Sequence, residues 1–335
     1  ILVRLKKLKK LKRKENLRSY MFEKIISLEN LFISWEEFKK GKANRNEVME
    51  FEINLEDNIF GLHEDLRGGV YKHSGYSSFF IHDPKRRHIH KASVRDRLVH
   101  HAIHRIIEPE WDKIFIFDSW SSRKNKGTHG AVRRLQDFGL KLSHNYTVTL
   151  WVLKLDIKKF FDSVDHVILL QILEQRINDR KLMRLLNDII YSYYPGLPLG
   201  NLTSQLFASI YLNQFDQFIK HELKIIGYIR YVDDFILLHT DRNILINCLN
   251  KIIIFLHKHL HLSIHLEKIE LKRYTTGIDY LGYVCFPGYS ILRTKTKRRM
   301  LKRINEKNLS SYNGVLKHCR SRKLQYKLLE KINSV

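Results

Sequence analysis

The sequence predicts an α+β protein built around a small, half-open sheet of the ferredoxin-like kind. Two stretches supply the strands. Leu150–Ile157 (LWVLKLDI) is a short β-rich run that ends at a carboxylate, and Tyr228–His239 (YIRYVDDFILLH) consists of two strand-like halves separated by Asp233 and Asp234. Helical patterns lie between these stretches and after them, so the order is strand, helix, hairpin, helix, strand. This order is typical of a sheet with helices packed on one face.

A hairpin and a helix are expected before this sheet. The segment 76–90 (YSSFFIHDPKRRHIH) alternates around an Asp-Pro pair, which predicts a hairpin with a basic tip. From Val94 to Ile107 apolar residues recur at helical spacing, and Pro109 is expected to mark the end of that helix.

The remaining predicted elements are helical stretches, one break and two short strands. In chain order they are a long helical region over His166–Tyr191, a break at Pro198–Asn201, a helix with one buried face over 202–223, a helix near Arg242–His261, and strands around Ile264–Leu271 and Tyr280–Phe286.

Composition indicates a globular protein with a polyanionic partner. The chain has 335 residues, of which 44% are hydrophobic, enough to bury a sizeable core. Its formal net charge is +25 and lies mainly at the ends: residues 1–20 contain nine Lys and Arg against one Glu, and residues 293–335 contain fourteen against two. Basic ends favour contact with phosphates, because each neutralised phosphate releases counterions. Added solubility is the alternative for both ends, and a frayed tail is a further alternative for the N-terminal end.

Cysteine usage and hydropathy indicate a cytoplasmic protein. Cys248, Cys285 and Cys319 are an odd number without metal-ligand spacing, which fits a reducing compartment. The apolar run at 252–256 (IIIFL) is far shorter than the roughly 18 residues that a membrane helix needs. We therefore expect no membrane partner.

Three aspartates predict a divalent-cation site. Asp233 and Asp234 occupy the tip of the predicted hairpin, where a cation can relieve the repulsion between them. If the strand that carries Asp156 is a neighbour of this hairpin, Asp156 and Asp233 converge across the sheet. Carboxylates with little His or Cys nearby favour Mg²⁺ or Mn²⁺ over zinc, and a pair of such ions suits phosphoryl transfer. A plain structural turn is the alternative, because Asp favours turns for local reasons.

An ordered series of motifs resembles that of reverse transcriptases. From Phe79 to Tyr283 it comprises KRRHIHKASVRDRLVHHAI, LKLDIKKFFDSVDH, GLPLGNLTSQLFASIYLNQFD, YVDD and YLGY. The resemblance implies an RNA-directed DNA polymerase with the right-hand architecture of fingers, ferredoxin-like palm and short helical thumb. It places a basic N-terminal extension at 1–25, the fingers with part of the palm at 26–145, the palm at 146–290, and a basic helical thumb at 291–335.

The resemblance also implies roles for the residues around the aspartates. Asp156, Asp233 and Asp234, with the main-chain carbonyl of Ile157, would hold two Mg²⁺ ions, for which Mn²⁺ is an alternative. Lys268 would act beside the pyrophosphate leaving group, the alternative being an ordinary surface lysine.

Other residues would contact the substrates. Phe161 matches the bulky residue that excludes a 2′-hydroxyl, with a core position as its alternative, since Phe160 is adjacent. The remaining implied contacts are Lys85, Arg87, Leu199, Gly200 and Gln205 with the incoming nucleotide, Leu281, Gly282 and Tyr283 with the primer end, and Lys297, Arg298 and Arg299 with the nucleic-acid backbone. For Lys85 and Arg87 a solvated turn is the alternative.

The segment LPLGNLTSQ narrows the resemblance. Most reverse transcriptases carry Gln before this Gly, whereas here the position is Leu199, followed by Ser204 and Gln205. This pattern, with KGTHGAVRRLQ and SYNGVLKHCRSRKL, resembles the reverse transcriptases of diversity-generating retroelements. The resemblance implies mutagenic retrohoming, in which a template-repeat RNA is copied into cDNA with errors at adenines.

The partners implied are the template RNA, a DNA or RNA primer, deoxynucleoside triphosphates and a small, basic, helical accessory protein. One alternative is another bacterial lineage, such as group II intron, retron or antiphage-defence reverse transcriptases. A second is a catalytically silent RNA-binding, maturase-like protein, against which the three intact aspartates argue.

Overall fold

The computed structural model describes residues 20–82 and 85–333. Residues 1–19 of the predicted basic extension lie outside the described residues, as does the Asp83-Pro84 pair of the predicted hairpin turn. The chain divides into two compact units. Unit 1 comprises the described residues up to Phe115 with Lys159–Gln214 and Lys258–Leu262, and unit 2 comprises Ile116–Lys158, Phe215–His257 and the described residues from Ser263 onward.

Helices and strands occur in groups along the described chain. The helices are α1 (Met21–Ile26), α2 (Leu28–Lys39), α3 (Asn46–Ile53), α4 (Leu55–Gly68), α5 (Val94–Asp112), α6 (Thr128–Leu142), α7 (His166–Glu174), α8 (Arg180–Tyr191), α9 (Leu202–Gln217), α10 (Arg242–Leu260), α11 (Thr294–Arg303), α12 (Glu306–Leu316) and α13 (Arg322–Asn333). The strands are β1 (Ser77–Ile81), β2 (Arg87–Lys91), β3 (Trp151–Asp156), β4 (Gly227–Tyr231), β5 (Asp234–His239), β6 (Glu270–Arg273), β7 (Ile278–Tyr280), β8 (Tyr283–Phe286) and β9 (Tyr289–Leu292).

Unit 1 contains the predicted hairpin and the helix that follows it. Strands β1 and β2 are antiparallel, with Phe79 opposite Ile89. The prediction that Pro109 ends α5 is wrong, because α5 continues to Asp112. The φ of proline suits a helix and only one N–H is lost, and Trp111 beyond it is buried. Packing of Trp111 therefore offsets the missing hydrogen bond.

The long helical region predicted over 166–191 is two helices, α7 and α8. Asp179 starts α8, since its carboxylate accepts hydrogen bonds from the N–H groups of Lys181 and Leu182 at 3.1 and 3.2 Å. It also accepts one from the N–H of Phe22 at 2.9 Å. A capping carboxylate favours a new helix start over continuation of the preceding helix.

Unit 2 contains a four-stranded antiparallel sheet in the order β4-β5-β3-β6. Counted along the chain, its central strands are the third and the first, and its edge strands are the second and the fourth. This is the strand order of a ferredoxin-like βαββαβ unit, and it confirms the predicted sheet.

Helices cover both faces of this sheet, so the prediction that they pack on one face is wrong. On one face Leu135 of α6 belongs to a core cluster with Ile236 of β5. On the other the ring of Phe215, from α9, lies 4.9 Å from that of Phe235. The run FILL in β5 is buried throughout, and successive side chains of a strand point to opposite faces. Both faces therefore require a cover.

Strands β7, β8 and β9 form a second antiparallel sheet in unit 2. Helices α11 to α13 contribute Met300, Leu316, Leu324 and Leu328 to the core cluster that contains Leu135. These helices are therefore part of the folded core of the unit. Among the described residues, no helix combines the length and the apolar character needed to cross a membrane.

Candidate active site

The three aspartates lie at one end of the sheet of unit 2. Asp156, at the end of β3, is the direct partner of Asp234, at the start of β5. Such partners have Cβ atoms about 4.5–5.5 Å apart on one face. Asp233 lies in the turn between β4 and β5, and its main-chain oxygen accepts a hydrogen bond from the N–H of Ile157 at 3.2 Å. The structure therefore brings together all four residues predicted to hold cations.

The hairpin turn differs from the prediction by one residue. It consists of Val232 and Asp233, not of the two aspartates. Asp234 instead pairs with Tyr231 as the first residue of β5. Pairing in the sheet fixes the face to which the Asp234 side chain projects.

Two lysines lie beside the aspartates and partly offset their charge. The Nζ of Lys268 lies 2.5 Å from Oδ2 of Asp156, and the Nζ of Lys154 lies 3.8 Å from Oδ2 of Asp234. The motif resemblance identified Lys268, whereas the sequence reasoning missed Lys154. The signal was present, because residues two apart on a strand share a face, as Lys154 and Asp156 do on β3.

The surroundings of Asp234 favour the neutral, protonated form of its carboxyl group. Burial raises the pKa of Asp234 to about 7, Lys154 opposes this rise, and the charges of Asp156 and Asp233 add to it. The Oδ1 of Asp234 is buried and has no hydrogen-bond partner among the described residues. A divalent cation relieves such an arrangement, because it both satisfies the oxygen and offsets the repulsion.

The donor set suits Mg²⁺ or Mn²⁺. Carboxylate and carbonyl oxygens are the ligands that these hard cations prefer. Within 20–82 and 85–333, no three His, Cys, Asp or Glu side chains are already grouped as metal ligands, and Lys268 bonds to one of the carboxylates instead. The aspartates therefore fit a divalent cation by donor type and by strand register.

In unit 1 the segment that contains Leu199 lies against β2. The N–H of His90 donates to the carbonyl oxygen of Leu199 at 2.8 Å. Gly200 has a φ of +124°, and a Cβ there would lie 3.0 Å from Cγ2 of Ile89 and 3.1 Å from the carbonyl oxygen of His90. Glycine suits this position for two reasons: other residues rarely adopt such a φ, and a side chain would lie too close to β2. Leu199 is half-buried, and Gln205, in the first turn of α9, is exposed.

The other predicted nucleotide contacts also lie in unit 1. Phe160 is buried, whereas Phe161 is half-buried, so the second ring of the pair is the accessible one. The carbonyl oxygen of Phe161 accepts a hydrogen bond from the N–H of Leu197 at 2.7 Å. Lys85 and Arg87 are exposed on the hairpin.

The predicted primer and backbone contacts lie in unit 2. Leu281 and Gly282 form the turn between β7 and β8, with φ values of +50° and +91°. The ring of Tyr283 is buried, and its hydroxyl donates to the carbonyl oxygen of Val315 at 3.0 Å. Of the three residues predicted to contact the primer, Leu281 and Gly282 therefore lie in the turn, and Tyr283 packs in the core. The three basic residues predicted to contact the backbone lie on α11 and are Lys297, Arg298 and Arg299.

The chain is similar to proteins of one family. A sequence model of the family described as reverse transcriptase (RNA-dependent DNA polymerase) matches residues 80–285, more than half of the chain. Protein YkfC of Escherichia coli (strain K12) is 25% identical over 268 residues, which are 66% of this chain and 69% of YkfC. The group II intron-encoded protein LtrA of Lactococcus lactis subsp. cremoris is 26% identical over 178 residues, which are 49% of this chain and 28% of LtrA.

A solved structure shares the fold. Apo telomerase from Candida tropicalis, truncated from the C-terminal domain, has a TM-score of 0.50 at 12% sequence identity, covering 70% of this chain and 60% of the telomerase chain. The chain thus spans most of YkfC, but less than two thirds of LtrA and of the telomerase chain.

Proposed function

The chain belongs to the reverse transcriptase (RNA-dependent DNA polymerase) family, and we propose that it extends a primer with deoxynucleotides along an RNA template. One observation carries the proposal. Asp156 and Asp234 face each other across β3 and β5, and Asp233 lies in the adjacent turn. A purely RNA-binding protein has no use for three clustered carboxylates.

Phosphoryl transfer requires positioning and charge neutralisation more than covalent chemistry. Asp156, Asp233, Asp234 and the Ile157 carbonyl would hold two divalent cations, which when bound lower the charge on the triphosphate and favour ionisation of the primer hydroxyl. The ammonium group of Lys268 lies beside Asp156. From there it would neutralise charge that develops on the leaving pyrophosphate.

The remaining substrate contacts rest on the motif resemblance and on exposure. Lys85 and Arg87 would bind the triphosphate, and the ring of Phe161 would exclude a 2′-hydroxyl. The main chain of Leu281 and Gly282 would contact the primer end. In this assignment the β1–β2 hairpin belongs to the fingers, the sheet of β3 to β6 to the palm, and α11 to α13 to the thumb.

The experiment supplies the purified chain with a primed RNA template, four deoxynucleoside triphosphates and Mg²⁺. We expect a cDNA whose sequence is complementary to the template and whose synthesis stops when a chelator is added. Asp156→Asn should lose this activity and keep its affinity for the RNA. A folded wild-type protein that yields no template-dependent product with Mg²⁺ or Mn²⁺ would contradict the proposal.

We further propose that the enzyme serves a diversity-generating retroelement and copies a template-repeat RNA with errors at adenines, together with a small, basic accessory protein. Leu199 supports this finer proposal. It occupies the position before Gly200 where most relatives carry Gln, and an aliphatic side chain offers contact without a directional hydrogen bond. The bias toward adenines rests on the motif resemblance alone. The similarity to LtrA supports the alternative, another bacterial reverse transcriptase of the group II intron type.

Sequencing of cDNA distinguishes these two functions. Wild type and Leu199→Gln copy one defined RNA, with the accessory protein added where one is encoded nearby. A loss of about 1–3 kcal/mol in discrimination corresponds to one or two decades in error frequency. Errors concentrated at template adenines and reduced in Leu199→Gln support the retroelement function. Equal accuracy at all four bases in wild type supports the group II intron type instead.

A further inference from the structure

The turn that carries Asp233 has a conformation that its own sequence disfavours. Val232 has a φ of +55°, and a β-branched residue rarely adopts a positive φ. Such a conformation persists only where surrounding groups hold it. The Val232-Asp233 turn must therefore be held by contacts with neighbouring residues.

Arg230, the residue two positions before Val232, supplies a direct contact. Its Nη1 donates to the carbonyl oxygen of Val232 at 3.1 Å. Its Nε and Nη2 donate to the two carboxylate oxygens of Asp216 at 2.7 and 2.6 Å, and Nη2 also donates to Oγ of Ser119 at 3.1 Å. The guanidinium group is therefore fixed by three partners, of which the Val232 carbonyl belongs to the turn.

The main chain of Arg230 is fixed as well. Its N–H donates to the carbonyl oxygen of Asp118 at 3.0 Å, and its carbonyl oxygen accepts from the N–H of Trp120 at 2.9 Å. On the other side of the ion pair, Asp216 lies in the last turn of α9 and accepts a hydrogen bond from the hydroxyl of Tyr228 at 2.7 Å. Both partners are thus held independently of the turn.

Stability alone is a poor explanation for this ion pair. The side chains of Arg230 and Asp216 are 1% and 0% exposed. Desolvation of two charges costs about as much as their attraction returns, and apolar residues of similar volume usually pack as well. A role that needs the directed donors of a guanidinium group accounts for the pair better.

We propose that Arg230 and Asp216 are positioning residues that hold the Val232-Asp233 turn, and with it the Asp233 carboxylate, in the geometry that polymerisation requires. Asp216 fixes the guanidinium group, and the guanidinium group fixes the carbonyl oxygen of Val232. The inference deepens the proposed function and rests on it for its kinetic test.

The main test replaces the network with apolar residues. A triple variant, Asp216→Leu with Arg230→Met and Tyr228→Phe, removes both charges of the ion pair, and it also removes the Tyr228 hydroxyl that would otherwise lose its acceptor. We expect this variant to fold and to bind primed RNA within about threefold of wild type. Its kcat should fall by ~10²-fold with a smaller change in KM, since a displacement near 1 Å costs that much. A purely structural pair would leave kcat unchanged in the folded variant.

A readout that does not need activity accompanies the kinetics. Hydrogen–deuterium exchange of the peptide that contains Tyr231 to Phe235 should be faster in the triple variant than in wild type. Tyr211→Phe is the matched control, because Tyr211 lies on the same helix, α9, as Asp216 and its substitution also removes a buried hydroxyl. That hydroxyl donates to the carbonyl oxygen of Leu260, a residue that is far from the turn in sequence. This control should keep wild-type kcat and wild-type exchange in the turn.

A second variant guards against misfolding of the first. In Arg230→Lys a single ammonium group can pair with Asp216 but lacks the second arm that reaches Val232. We expect a lower kcat at unchanged RNA affinity. Wild-type kcat in either folded variant overturns the inference, as does loss of the fold in both, which would show that the pair is structural. An inactive wild-type protein would contradict the proposed function instead, and exchange in the turn would still decide whether Arg230 holds it.

Discussion

Each aspartate of the paired strands has its own lysine. Lys268 bonds directly to Asp156, whereas Lys154 lies 3.8 Å from Asp234. Two positive charges reduce the repulsion among three carboxylates before any cation binds. Lys154 also donates to the carbonyl oxygen of Asp279 at 2.7 Å, which holds its ammonium group in place.

A pH dependence follows from Asp234. Its pKa is raised to about 7 and Lys154 opposes the rise, so Lys154→Met should raise this pKa further. Because only the ionised carboxylate is a good cation ligand, activity should fall as pH decreases through this pKa, and in the variant the fall should begin at a higher pH. The measurement is the pH profile of primer extension at limiting Mg²⁺.

Lys272→Met is the control for the loss of one positive charge, since Lys272 pairs with Glu270 on β6. Its pH profile should match that of wild type. Identical profiles for Lys154→Met and wild type would show that Lys154 does not govern the ionisation of Asp234.

Phe161 is the residue that we propose excludes a 2′-hydroxyl. Phe161→Val should admit ribonucleotides, because a smaller side chain leaves space for a 2′-hydroxyl. We expect kcat/KM for ribonucleotides relative to deoxynucleotides to rise about 10–100-fold, the range of a steric effect worth 1–3 kcal/mol. Phe161→Tyr keeps the bulk and should keep the discrimination. An unchanged ratio in Phe161→Val would show that another side chain excludes the 2′-hydroxyl.

Among the elements, short apolar β-rich runs and one clear helical period gave accurate predictions. Strand β3 and the hairpin of β4 and β5 lie where the sequence places them, because both are apolar runs that the fold buries wholly or in part. Helix α10 does so because its buried residues recur at helical spacing. The errors arose where a tertiary contact overrides a local rule. Packing of Trp111 carries α5 past Pro109, and the Asp179 cap divides the stretch 166–191 into two helices.

Helix α11 tests the assignment of backbone contacts. Neutralising Lys297, Arg298 and Arg299 should weaken RNA binding and reduce its dependence on salt, because each lost phosphate contact lowers the slope of log K against log salt by roughly one unit. The measurement is RNA affinity across a range of salt concentrations.

A control of equal charge lies on α13. Neutralising Arg322, Lys323 and Lys327, which are all exposed, removes the same charge from another helix. Its slope should change less than that of the α11 variant. Equal slopes for the two variants would attribute the effect to net charge rather than to contacts of α11.

At the scale of the whole molecule, the candidate site residues divide between the two units. The aspartates, Lys268 and α11 belong to unit 2, whereas Phe161 and the Leu199-Gly200 segment belong to unit 1. The order of motifs along the chain was sufficient to predict the family and the convergence of the aspartates. Lys154 and the Arg230–Asp216 pair were not predicted. For Lys154 a signal was present, namely the strand face that it shares with Asp156. The Arg230–Asp216 pair joins a strand to a helix, and no local pattern in the sequence announces such a contact.

We propose that the chain polymerises deoxynucleotides on RNA through its three aspartates. The most direct measurement compares primer extension by wild type, Asp233→Asn and Asp241→Asn on one primed RNA with Mg²⁺. Asp241 lies just beyond β5 and outside the site, so its variant controls for the loss of a carboxylate. We predict that Asp233→Asn loses at least ~10²-fold in rate while RNA binding stays within a few fold, since loss of one preorganised charge costs that much. Extension by Asp233→Asn at the rate of Asp241→Asn and wild type would contradict a catalytic role of the aspartates.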